Sequence, residues 1–232
     1  EPFTRQIALV DGPDGTPYAL DIFRGGGGTI HDFALHGEGT RLHVDGLDLL
    51  PVPGFPGKDY AYGEVRAVRS APVDGPIDFN WLWDDGARLD GILARQEGAR
   101  LFTTRSPGMR VREQQGREID SLFLRREGDD LRSNFIAAFD PNTGSRQVEG
   151  VSVLEVSEAA DWALVVEVDL VDGFTDYVFS AYIDVAPAGA EFEKDGLVIP
   201  WQSRFGIVRV KDGRIVQEAW VDATMEGLAH DI

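Results

Sequence analysis

The chain has 232 residues, 40 acids against 22 bases, and a formal charge of −18. That balance argues against non-specific binding to DNA, RNA or an anionic membrane, because those partners reward a basic surface. The absence of cysteine excludes disulfides and thiolate chemistry, and no apolar run approaches the ~18 residues of a membrane span.

Glycine- and Asp-Gly-rich turns divide the chain into short, alternating apolar segments. Residues 6–10 and 18–24 read as strands around Asp11-Gly12-Pro13-Asp14-Gly15. A tetraglycine, Gly25 to Gly28, precedes His31-Asp32-Phe33-Ala34-Leu35-His36. If that segment is a strand, His31 shares a face with Phe33, and His36 shares the opposite face with Asp32. Residues 38–63 read as an irregular loop that is functional or packs as an Ω-loop. That loop carries Tyr60 and Tyr62, which are candidates for exposed contact with a sugar.

Residues 78–83 and 87–94 read as a hairpin around Asp84-Asp85-Gly86. Trp81 and Trp83 alternate with Leu82 and share one face. Exposed, they would form a sugar-stacking platform; buried, they are core. The arginines from Arg100 to Arg132, among them Arg105, Arg110, Arg112, Arg117, Arg125 and Arg126, are interleaved with acids. They form either a solvated mixed-charge face or, in part, a clamp for uronate carboxylates. Residues 133–139 read as a strand ending in Asp140-Pro141, and only residues 157–162 look weakly helical. Residues 162–170 and 177–185, then 204–210 and 214–221, form two further hairpins on Asp-Gly turns. Many short strands without a sustained helical period predict an all-β fold: one large antiparallel β-sandwich domain over residues 1–232.

Few residues carry chemistry. No Gly-x-Ser-x-Gly elbow or phosphate loop occurs. His31, His36 and His43 cluster after the glycines, and the only other histidine is His230. Histidines on opposite strand faces do not converge on one metal, so no metal and no cofactor is expected. A structural polar cluster beside the glycine turn stays open as the alternative to catalysis.

Three stretches resemble a known family. Tyr18-Ala19-Leu20-Asp21-Ile22-Phe23-Arg24, followed by the glycines and His31-Asp32-Phe33-Ala34-Leu35-His36-Gly37, resembles the opening of the C-terminal β-domain of heparinase II/III-like polysaccharide lyases. Asn134-Phe135-Ile136-Ala137-Ala138-Phe139-Asp140-Pro141 and Arg204-Phe205-Gly206-Ile207-Val208-Arg209-Val210-Lys211-Asp212-Gly213 are similar to two later strands of that domain, in the same order.

The resemblance implies a supersandwich-like fold, a secreted or periplasmic setting, and cleavage of a uronic-acid polysaccharide by β-elimination. It implies a partner α/α toroid, which nothing in this chain could supply, so the chain alone is expected to be inactive. His31 matches the β-domain histidine of the cleft, with Asp32 beside it, and His36 matches a recurrent His-Gly. Arg24, Asp32, Tyr60, Tyr62, Trp81 and Trp83 are the implied substrate contacts, and His31 and His36 the implied catalytic residues. The zinc-binding His-x-His of some members is replaced here by His31-Asp32. The charge tilts the substrate away from densely sulfated glycans. A non-catalytic carbohydrate-binding or structural module is the alternative.

Overall fold

The computed structural model describes residues 3–39, 41–56, 65–107, 118–154, 163–181 and 190–221. Tyr60, Tyr62, His230 and the weakly helical stretch 157–162 lie outside the described residues. The chain divides into two compact units, Glu1–Arg146 and Gln147–Ile232. Both are built from antiparallel strands, and no α-helix occurs among the described residues.

The first unit contains β1 (Phe3–Asp11), β2 (Pro17–Gly26), β3 (Ile30–His36), β4 (Arg41–Val44), β5 (Leu50–Pro51) and β6 (Arg66–Pro72). It continues with β7 (Ile77–Leu82), β8 (Arg88–Leu93), β9 (Ala99–Pro107), β10 (Glu118–Glu127) and β11 (Arg132–Asn142). A six-stranded sheet runs β1-β2-β11-β8-β7-β4, and a five-stranded sheet runs β3-β10-β9-β6-β5.

One apolar cluster draws from both sheets: Ile77, Phe79, Trp81, Leu93 and Phe135 from the first, Phe33, Leu35, Leu101, Leu122 and Leu124 from the second. The Phe33 and Phe135 rings stack at 5.4 Å between centroids, so β3 lies over β11 at that point. Gly37 is required beneath Trp81, because a Cβ there would lie 2.2 Å from the indole.

The stretch read as irregular is partly ordered into strand. β4 pairs with β7, and β5 pairs with β6. Both are short, so turn residues outweigh the apolar pattern in the sequence. After β5 the chain packs on the far face of the second sheet, where Phe55 lies 4.7 Å from Phe123 and 5.0 Å from Phe102.

The second unit contains β12 (Val148–Leu154), β13 (Leu164–Leu170), β14 (Phe174–Ser180), β15 (Glu191–Lys194), β16 (Leu197–Pro200), β17 (Phe205–Lys211) and β18 (Arg214–Val221). A five-stranded sheet runs β12-β13-β14-β17-β18, and β15 pairs with β16. Phe179, Phe192, Trp201 and Val208 centre its core. The Asp-Gly hairpins form as the composition predicts: φ is +51° and +79° at Asp195-Gly196, and +49° and +70° at Asp212-Gly213. Two consecutive left-handed residues match the twist of the flanking strands.

Candidate functional site

His31 stands at the start of β3 on the core-facing side, with Phe33 and Leu35; all three are buried. Asp32, Ala34 and His36 point to the other face and are more open. The period of two thus separates His31 from His36, as the sequence implies.

The His31 ring is held on both sides. Its Nε2 lies 2.5 Å from the Gly27 carbonyl oxygen, which accepts only, so Nε2 carries the proton. In the neutral ring Nδ1 is then an acceptor, 2.9 Å from Ser133 Oγ. Ser133 Oγ accepts from Arg126 Nη1 at 3.0 Å and donates onward. A directed chain runs Arg126 to Ser133 to His31 to Gly27. Gly27 and Gly28 have φ of +79° and +78°, so the tetraglycine supplies a left-handed turn that His31 closes. A Cβ on Gly25 would lie 3.4 Å from the ring. The glycine lets the imidazole rest on the β2 backbone.

Phe3 covers the ring edge, with centroids 6.2 Å apart. The pairing of Phe3 with Gly25, Ile7 with Asp21 and Leu9 with Ala19 puts these three on the same face as Phe23 and Phe135. That face is core elsewhere, yet Phe3, Ile7 and Leu9 are 67%, 66% and 75% exposed. The six-stranded sheet overhangs here, and β3, the last strand of the other sheet, reaches Phe23 and Phe135.

The remaining predicted residues are dispersed. Asp32 accepts a bidentate pair from Arg125, Nε to Oδ1 and Nη2 to Oδ2, both 2.7 Å. Arg125 also donates to the Pro56 carbonyl and lies 4.8 Å over the Phe55 ring. This pair therefore ties the loop after β5 to the second sheet. His36 stands edge-on to Phe123 at 6.0 Å, and burial lowers its pKa below 6.5. Arg24 is 1% exposed and donates from Nη1 to Gln6 Oε1 at 2.9 Å; burial pulls its pKa down to about 10. Trp81 is core, and Trp83 packs against the same cluster, so they form no stacking platform. Among the described residues no group of three or more His, Cys, Asp or Glu could hold a metal ion.

A second locus lies at the β4 edge of the first sheet, opposite β1. It is an open groove of about 550 Å³ lined by Arg41, Arg69, Arg105, Thr103, Asp48 and Asp120, among others. Register explains it. On one face of β9 the side chains run Leu101, Thr103, Arg105; opposite them on β10 run Leu124, Leu122, Asp120. On β6, Ala71 faces Leu101 and Arg69 faces Thr103. β9 and β6 turn from apolar to polar at the Thr103–Arg69 level and β10 one step later at Asp120, all on the core-facing side.

Arg105 belongs to the arginine series seen in the sequence, but Arg41 and Arg69 were not singled out. The missed signal is a charged residue continuing the apolar register of a strand, which requires knowing which strands are neighbours. No family model matches the chain, and no curated protein matches it.

Proposed function

We propose that the chain is the β-portion of a uronic-acid polysaccharide lyase, with the first unit forming a β-sandwich that receives an α/α toroid domain along β1. The observation that carries this reading is the face of β1 where Phe3, Ile7 and Leu9, interrupted by the Arg5–Asp21 ion pair, continue a core and stand exposed among the described residues. Covering an apolar side chain of this kind is worth roughly 1.5–3 kcal/mol, which favours docking of a domain that covers all three. Phe3 leads directly to His31, so the histidine named by the family resemblance lies beneath the docking edge.

In β-elimination a base removes the proton next to the uronate carboxylate, enolate-like charge builds up, and the leaving oxygen takes a proton. In this reading the chain lends His31, beside Phe3, to that cleft, and the toroid supplies the tyrosine and a second histidine. His36, on the opposite face of β3, belongs to the outer surface and does not join it.

The hydrogen bonds of His31 favour a second reading, a non-catalytic carbohydrate-binding or structural module in which the imidazole latches the tetraglycine turn. The natural protein, helical domain included, separates the two. With polygalacturonate or alginate, the lyase reading expects an unsaturated product by ultraviolet absorbance. It expects that product to disappear in His31→Ala while the melting transition stays cooperative. The modular reading expects no product from the parent protein.

A further inference from the structure

The groove at the β4 edge lies across the first sheet from His31 and has no part in the proposed cleft. We propose that it binds an acidic saccharide, with Arg69 and Arg105 taking the carboxylate and Asp48, Asp120 and Thr103 taking the hydroxyls. The inference rests on the groove alone and does not depend on the lyase reading.

The first support is position. Beyond the last apolar residues of these strands the same face opens to solvent and presents Arg69 and Arg105, the latter 61% exposed, to an incoming ligand. Here Asp120 on β10 faces Arg105 on β9, and one step along the same face Thr103 on β9 faces Arg69 on β6. The second is pre-organisation. Arg69 Nε donates to the Leu49 carbonyl at 3.0 Å, and Arg105 stands 3.6 Å from Asp120 Oδ1. Asp120 Oδ2 in turn accepts from the Leu42 amide at 3.0 Å, which ties β4 to β10 across the groove. The third is backbone strain. Ala67 has φ of +50° in the β6 bulge between Arg66 and Arg69. A left-handed alanine is unfavourable by about 1–3 kcal/mol and persists where the surroundings impose it; bulges re-aim neighbouring side chains.

The mixture of charges selects the ligand class. Planar guanidinium forks match carboxylates. Asp48 and Asp120 accept hydroxyl protons from a sugar ring, which sulfate cannot offer. The volume falls within the ~300–1,000 Å³ of small-ligand sites.

The test is calorimetric titration of the chain with tetragalacturonate, cellotetraose and sodium sulfate. Tetragalacturonate is expected to bind, cellotetraose not to bind, and sulfate not to compete. Arg69→Ala and Arg105→Ala should each weaken tetragalacturonate at least tenfold. Arg41→Ala, at an exposed position, gives the same direction should either of those variants melt early. Asp48→Asn should weaken the sugar as well. Failure of tetragalacturonate to bind, or binding indifferent to all three arginines, overturns the proposal. So does sulfate binding that Asp48→Asn strengthens, which would make the groove a simple anion patch. Ile7→Lys with Leu9→Lys, which blocks the β1 face, should leave this binding unchanged, so failure of the lyase reading and failure of the groove are distinguishable.

Discussion

His31 is the residue on which the two functional readings divide. In the neutral ring the Gly27 carbonyl selects the tautomer with the proton on Nε2, and nitrogen NMR of the neutral imidazole should find that tautomer rather than the Nδ1-protonated one. Ser133→Ala removes the donor to Nδ1 and should cost about 1–3 kcal/mol in denaturant unfolding, the range for stranding a buried polar atom. The opposite orientation of His31 and His36 was legible from the two-residue period alone. The latch was not, because Ser133 is distant in sequence and Gly27 offers only backbone.

Tyr177 gives a pH prediction. Burial first, then Glu167, pushes its pKa up to about 12 from 10.0. The unfolded chain therefore loses the proton before the folded one does. Stability should be at its full value below pH 10 and fall as pH rises toward about 12. Ultraviolet titration of tyrosinate should show one late-ionising residue that Tyr177→Phe removes; its absence would contradict the assignment.

At the level of elements, β1 and β3 define one edge and β4, β6 and β9 the other. Ile7→Lys and Leu9→Lys should change the stability of the chain by no more than about 0.5 kcal/mol, because both side chains are already in solvent. The same changes should abolish association with the proposed helical domain in a pull-down or sedimentation experiment. Arg125→Ala strands Asp32 and releases the loop after β5; a loss of about 3–5 kcal/mol is expected in urea unfolding. The Asp-Gly hairpins were readable because the turn type demands those residues. β4 and β5 were hidden, since two- and four-residue strands are set by their partners rather than by their own pattern.

For the whole molecule, the charge of −18 excludes polyanion binding only as an average. Arg41, Arg69 and Arg105 converge on one groove despite it, and field strength in a cleft follows local charge and geometry. The all-β class was evident from the spacing of turns. Division into the units Glu1–Arg146 and Gln147–Ile232 was not, because the cluster Pro141-Asn142-Thr143-Gly144-Ser145 before the boundary reads like the turns between neighbouring strands of one sheet. The most direct test of the central claim is turnover of polygalacturonate and alginate by the natural protein joined to the proposed helical domain, followed by ultraviolet absorbance of the unsaturated uronate. The account predicts product from the joined domains, none from this chain alone, and loss of product in both His31→Ala and the Ile7→Lys, Leu9→Lys variant. Undiminished product in His31→Ala, or no product from the parent protein on either polymer, would contradict it.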